Sequence, residues 1–431
     1  GASQGAIVSV KYDAAGNQLW TAVSGDGAPA AITTDNAGNV ILAGTNHTAT
    51  GNTDYLIVKH DAYGAKLWEM RVDGGNQDML VGLVLDSYGN AYVTGTRETD
   101  FQTDYYTVKY DGATGAQLWS ATYNLRASDR AAGLALDSAG DLYVTGTSGG
   151  DYTTVKYHGA NGAQIWSAEH NSGYDDQAAA IGVDTANGVY ITGGGYSNYL
   201  TVKYNATSGA QQWTAVYNNG GLDAASALAL DSDNNVYITG RSANSNGNND
   251  YATVKYNSSG SQIWVTRYDN GARDEAAAIA VGAGKITVTG MSVGSGTLED
   301  YATIRYSESA SSGPDLVVTV LSGPSNGQMG DVINLSSTVK NQGTGQAESS
   351  SIGFYLSTDA TITTADRYLG NRYLSSLAAG ASDSAATSVI LPNVTPGTYY
   401  LGAIADLGNG IPEDDETNNT LVGNAITLSS P

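Results

Sequence analysis

DYTTVKYHGANGAQIW, residues Asp151–Trp166, is a sentence that the chain writes repeatedly. DYYTVKYDGATGAQLW (Asp104–Trp119) and DYATVKYNSSGSQIW (Asp250–Trp264) are close copies, and DYATIRY (Asp300–Tyr306) starts a further copy without finishing it. All six Trp fall in one slot of the repeat, at Trp20, Trp68, Trp119, Trp166, Trp213 and Trp264. A period of about 50 residues fits propeller blades better than helical solenoids. Within one unit, AAGLALD (Ala131–Asp137), LYVTG (Leu142–Gly146), DYTTVKY (Asp151–Tyr157) and AQIWSAEH (Ala163–His170) are β-branched or aromatic runs separated by turn residues. Four antiparallel strands repeated radially make a blade. The Ala/Gly-rich first run suits a crowded centre. The Trp run suits the periphery, with its ring packed between neighbouring blades.

Two charged slots recur with the repeat. A cation precedes the last aromatic of the third run, at Lys11, Lys59, Lys109, Lys156, Lys203, Lys255 and Arg305. An acid follows the Trp at a constant distance, at Asp78, Asp129, Asp176, Asp223 and Asp274. The reading is a repeated ion pair within or between blades, failing in the first unit, where Ala30 takes the place of the Asp.

DEAAAIAVG at Asp274, DAASALALD at Asp223 and NNVYITG at Asn234 resemble the bacterial β-propeller repeat of the SBBP type. The resemblance implies the architecture and leaves the function open, because propellers serve many functions. The expected fold is all-β: six four-stranded blades over residues 1–306, with seven as the alternative. The small strand, the Tyr/Thr-Gly strand and the Trp strand each occur six times. The third-type strand occurs seven times, because AIVSVKY (Ala6–Tyr12) precedes the first Trp. Closure is expected by the N- and C-terminal strands, with Gln18–Val23 completing the last blade. One third-type strand is then left over, free to add to a neighbouring molecule.

Composition changes after Tyr306. SESASSGPD reads as a linker, 307–314, and residues 315–431 carry about seven alternating runs, the pattern of an Ig-like sandwich. PDLVVTVLSGP, TVKNQGTGQA, GFYLSTDATITTADRYLG, GTYYLGAIAD and PEDDETNNT are similar to the CARDB family of cell-adhesion-related domains in bacterial surface proteins. That resemblance implies an Ig-like fold, export, and a role in adhesion or assembly without catalysis. Asp406, Asn409, Glu413, Asp414, Asp415 and Glu416 offer oxygens at a density that calcium could use, although the EF-hand order is missing. Otherwise no cofactor is expected.

With no Cys and four His, cysteine-ligated and His-rich metal centres are excluded. A net charge of −23 disfavours nucleic acid, and no apolar run is long enough to span a membrane as a helix. No nucleophile elbow, P-loop or zinc-protease motif occurs. GASQGA is read as the start of a mature chain after removal of a leader. The expectation is an exported, non-enzymatic structural or adhesive surface protein that partners with itself or with other cell-surface components. A carbohydrate-binding propeller is the alternative, and an extracellular polysaccharide hydrolase or lyase comes third.

Overall fold

The computed structural model describes all residues except 1, 4, 75, 100–101, 245–246, 283, 295–298, 308–312, 344 and 414. The chain divides into two compact units, Gly1–Tyr306 and Ser307–Pro431. Most of the expected linker lies outside the described residues.

The first unit is a propeller-like array of antiparallel sheets taken in chain order. Five sheets have four strands. The third runs Asp129–Leu136, Leu142–Ser148, Asp151–Tyr157 and Gln164–His170, each strand paired with the next. Two local irregularities recur. Lys156 lies directly opposite Trp166, and the register then slips before Tyr157 meets Gln164. The first pairing slips between Ala131 and Gly133, opposite Gly146. A Cβ on Gly146 would lie 2.0 Å from the Arg130 carbonyl oxygen, so the bulge brings backbone against backbone and only glycine fits. Each sheet's first strand packs on the first three strands of the sheet before it, which places the Ala-rich strands in mutual contact.

The array begins with a hairpin and ends with a partial sheet. Gln18–Thr34 is one long strand. Its C-terminal half opens the first four-stranded sheet, and its N-terminal half pairs with Ala6–Tyr12. The expected closing partnership between Gln18–Val23 and the last third-type strand is therefore replaced by a local one. Lys11 stands opposite Trp20, and the last sheet is Gly271–Gly282, Lys285–Gly294 and Glu299–Ser307. The reason is loop entropy. A tight turn capped by Asp13, whose carboxylate accepts the Ala15 and Asn17 amides, closes the hairpin. Closing a ring would fix ends hundreds of residues apart.

The second unit packs a three-stranded sheet (Leu316–Ser322, Val332–Asn341, Ser382–Ile390) with a five-stranded one. The five-stranded sheet includes Asn326–Gln328, parallel to Thr420–Ser429, a strand too short to show a pattern in the sequence. Leu316, Leu335, Val339, Ile352, Phe354, Leu401 and Ile426 form the core between them.

Candidate functional site: the junctions between sheets

The repeated cation and Trp meet at five junctions among the described residues. In the third sheet, Lys156 Nζ lies 3.2 Å from Asp137 Oδ2 and 3.2 Å from Asp141 Oδ2. It also donates to the Ala206 carbonyl of the next sheet at 3.3 Å. Trp166 Nε1 donates to the same carbonyl at 3.0 Å, and Tyr143 OH reaches both Asp137 and that carbonyl. One backbone oxygen of the following sheet thus gathers three donors. Lys109 and Trp119 meet at the Gly159 carbonyl, Lys59 and Trp68 at Gly112, Lys203 and Trp213 at Ser258, and Lys11 and Trp20 at Ala62. The Trp faces are covered. A Cβ on Gly162 would lie 2.6 Å from Trp119, and the same close approach recurs for Gly209 on Trp166 and Gly260 on Trp213. Trp264 packs on Tyr237.

The ion pairs differ from the expected ones. The lysines pair with Asp35, Asp86, Asp137, Asp184 and Asp231, the acids that close the first strand. They do not pair with Asp78, Asp129, Asp176, Asp223 and Asp274. The ladder gives the reason. Asp129 sits opposite Ser148, whereas Lys156 sits opposite Tyr143, which faces Ala135. The two acid slots, Asp129 and Asp137, stand eight residues apart along the strand, about 26 Å. Burial alone would raise the Asp35 carboxyl, but hydrogen bonds from Lys59 and Asn39 outweigh it and hold it down to about 2. Lys11 hydrogen-bonds the Ala62 carbonyl, and no ion pair joins it among the described residues. The N-terminal hairpin has no first strand to supply an acid.

The second acid slot lies at the opposite end of each sheet and is buried. Asp78, Asp129, Asp176, Asp223 and Asp274 are at most 2% exposed. One oxygen caps the preceding turn: Asp129 Oδ2 accepts the Leu125 and Arg126 amides, and Asp223 Oδ2 accepts the Asn219 amide. The Oδ1 atoms of Asp78, Asp129, Asp223 and Asp274 are buried without a donor. Burial pushes the Asp78 carboxyl up to about 6, against the pull of Arg97. Burial and the nearby Asp129 likewise raise Asp104.

In the second unit, the expected calcium loop spends its oxygens on its own backbone. Asp406 Oδ2 accepts the Ile411 amide, Asp415 caps Thr417, and Glu416 accepts the Glu413 amide. Asn409 is a turn residue with φ of 52°. Glu413 points inward to the Leu316 amide and to Asn419 Nδ2. Burial, with Glu416, Asp406 and Asp315 nearby, pushes its carboxyl up to about 7. Asp414 lies outside the described residues. Among the described residues, the three carboxylates that do converge are Asp250, Asp269 and Asp274, in the first unit.

Residues 313–423 match the CARDB family. The second unit is a CARDB domain. Solved structures similar to it include a CARDB domain from Pyrococcus furiosus in complex with di-metal ions, at 21% identity. The likeness covers 27% of this chain and 90% of that one, with a TM-score of 0.22. The array has likenesses to Chaetomium thermophilum Sqt1 bound to the N-terminus of a ribosomal protein (9% identity, 66% and 75% coverage, TM-score 0.48) and to the Dos1 propeller (10%, 65% and 78%, 0.41). No curated protein matches the chain.

Proposed function

We propose that this is a non-enzymatic extracellular structural or adhesive protein that assembles with copies of itself through the ends of the array. One comparison within the chain carries the reading. Tyr55, Tyr105, Tyr152, Tyr199 and Tyr251 occupy equivalent third-strand positions and are at most 1% exposed. Each donates its hydroxyl to a third-strand carbonyl of the next sheet, as Tyr105 does to Thr153 at 3.3 Å and Tyr199 to Ala252 at 3.1 Å. Tyr301 holds that position in the last sheet and is 98% exposed. Thr303 and Arg305 line the same open face. The first four-stranded sheet also leaves apolar side chains open. Ile32 is 61% exposed, beside a cavity of about 510 Å³ lined by Val8, Val10, Tyr12, Pro29 and Leu42. The occupant that fits the last face is the hairpin Ala6–Val23 of a second copy. Toward its own first sheet that hairpin is the donor, with Trp20 on Gly64 and on the Ala62 carbonyl, and its turn Asp13–Asn17 is the acceptor counterpart for the last face. A heterologous contact of this kind extends head to tail. The CARDB domain supports an adhesive or assembling role at the cell surface.

Negative-stain microscopy and light scattering of the full chain, of a chain lacking residues 1–12, and of Tyr301→Arg test the reading. Filaments or rings from the full chain, with monomers from both variants, uphold it. Monomers from all three refute self-assembly through these faces.

A second reading, carbohydrate binding, has one observation of its own. Tyr174 and Tyr196 are exposed and stack at 3.8 Å beside a cavity of about 430 Å³ that also holds Asp175, Gln177 and Arg241. This breaks the repeat, as a ligand site on a repeated scaffold would. Retention on a polysaccharide column that is lost in Tyr196→Ala would support it.

A further inference from the structure

We propose that the junction between the fifth and sixth sheets binds a divalent cation, calcium by its donor chemistry, on Asp250, Asp269 and Asp274. One carboxylate oxygen from each lies within 4.8 Å of the others, a spacing that a single ion can bridge. Asp250 is 3% exposed and Asp274 is 0% exposed, while Asp269 stands at the rim. The hydrogen bonds leave oxygens to spare. Asp274 Oδ2 accepts the Asn270 amide at 2.8 Å, and its Oδ1 is buried with no donor at all. Asp269 Oδ1 accepts the Gly271 amide at 2.6 Å. Asp250 Oδ2 accepts Arg267 Nη2 at 2.7 Å, and its Oδ1 accepts Asn244 Nδ2 at 3.3 Å. Ser292, 3% exposed and opposite Asp274 in the ladder, adds a hydroxyl at the same place.

A buried carboxylate oxygen without a donor is uncommon in folded proteins; it recurs at Asp78, Asp129 and Asp223, and the last junction is set apart by the two further carboxylates that converge on it. The charges point to a cation. Three carboxylates against the one guanidinium of Arg267 leave two negative charges. Hard oxygen donors without His or Cys select calcium over zinc or copper.

The repeat supplies the contrast. The loop before the buried Asp begins with Asn at Asn124, Asn171 and Asn218, and with Asp at Asp73 and Asp269. The start of the third strand is Asp54, Asp104, Asp151, Asn198 and Asp250. Only the first and last junctions therefore write three carboxylates. At the first, Arg97 lies near Asp78, and Glu69 holds Arg71 at 3.0 Å; among the described residues the three carboxylates converge within 4.8 Å at the last junction and not at the first. At the last, Arg273 is drawn away by Glu275 at 2.9 Å, and Arg267 alone remains. Asp274 begins the core of the sixth sheet's first strand, while Asp250 and Asp269 flank the fifth sheet's third and Trp strands. An ion there ties the three-stranded last sheet to its neighbour, at the one junction whose later sheet has no Trp strand of its own.

The test is calcium alone, titrated calorimetrically into the chelator-stripped full chain, beside Asp269→Asn, Asp274→Asn and Glu413→Gln. The expected Kd is about 10⁻⁴ to 10⁻³ M, as in extracellular modules. Loss of one bound ion, or about tenfold weaker binding, is expected in the two junction variants and not in Glu413→Gln. Asp269 is exposed, so Asp269→Asn remains informative even where Asp274→Asn fails to fold. Calcium should also raise the melting temperature read by Trp fluorescence, and Asp269→Asn should abolish that rise. Absence of calcium binding by the unaltered chain, or equal stoichiometry and affinity in Asp269→Asn, overturns the proposal. Calcium lost only in Glu413→Gln places the ion in the CARDB domain and overturns it equally.

Discussion

Lys156→Met removes the most heavily partnered ammonium of the array. Lys156 lies 3.2 Å from each of Asp137 and Asp141, donates to the Ala206 carbonyl, and sits 4.9 Å over the Tyr143 ring. The Lys156 and Asp137 side chains are 9% and 6% exposed. Methionine keeps the length of the stem and deletes the charge. Asp137 then stays buried with only the Ala139 and Asp141 amides and the Tyr143 hydroxyl for support. Removing one partner of a buried pair costs about 3–5 kcal/mol, because the other charge remains uncompensated. A control lies on the same sheet, in its Trp strand. Glu169 meets Arg126 at 2.9 Å, but both are more than a third exposed, so Glu169→Gln should cost under about 1 kcal/mol. All six Trp lie in the array and none in the CARDB domain, so urea unfolding followed by Trp fluorescence reads the array by itself. Lys156→Met/Asp137→Asn should recover part of the loss, with a coupling of about 1–3 kcal/mol. If Lys156→Met costs no more than Glu169→Gln, the junction lysines are ornaments and the reasoning fails.

Gly162 has φ of 71°, and its Cβ would lie 2.6 Å from the Trp119 ring. Gly162→Ala should therefore cost about 2–4 kcal/mol from left-handed strain and crowding together, and red-shift the emission of Trp119 as the ring is pushed toward water. Asp78 and Glu413 are raised to about 6 and about 7 by burial. A folded state that holds its protons more tightly than the unfolded chain is favoured by them fully below the ordinary carboxylate range, and that contribution disappears as pH rises through 6 and 7. After discounting for screening, each is worth about 1–2 kcal/mol. Asp78→Asn should flatten this slope in Trp fluorescence melts, and Glu413→Gln in near-ultraviolet dichroism of the isolated transition of the second unit. Asp35 acts oppositely. Its lowered carboxyl adds stability above the ordinary carboxylate range, and that stability drains away as pH falls toward 2.

The repeat was legible because a propeller-like sheet states its pattern in each strand: Ala/Gly in the first, Thr-Gly in the second, Tyr-x-x-x-Lys-Tyr in the third, Trp in the fourth. The CARDB segment was legible from motifs along its whole length. Partnerships across the fold were not. Asp137 and Asp129 stand eight residues apart in the sequence and read alike as repeated acids beside a repeated lysine. Which of them meets Lys156 depends on the direction in which the first strand runs past the third, and that is visible only in the ladder. The local pairing of Gln18–Val23 was hidden for a related reason. Ala6–Tyr12 and Glu299–Ser307 are the same type of strand, so composition cannot tell which one Gln18–Val23 will choose. The Asp250, Asp269 and Asp274 cluster did leave a trace, Asp in loop positions where three of the other copies have Asn, but an acid-rich surface hides one more acid. In the loop at 406–416 the density of oxygens is legible in the sequence, but their local partners are not. Asp406, Asp415 and Glu416 face their own backbone amides.

The two ends of the array also differ in what they can accept. The junctions from the first sheet to the fifth are directional: a sheet offers Tyr, Lys and Trp donors, and the next sheet offers carbonyls and a bare glycine. The last sheet offers Tyr301 and Arg305 in the donor slots, with no Trp strand after them. The N-terminal hairpin carries the acceptor slots, including the turn of Asp13 to Asn17 with Gly16 at φ of 84°, in the place where Gly64 receives Trp20. Donor face and acceptor face are thus of opposite kinds, so two copies cannot meet last face to last face without leaving both sets of donors unmatched. Only a head-to-tail contact pairs them. A dimer closed by a two-fold axis through Tyr301 would therefore contradict the junction chemistry, whereas a cyclic ring or an open filament would follow from it. Light scattering separates these outcomes, because a filament grows with concentration and a two-fold dimer stops at twice the mass of one chain.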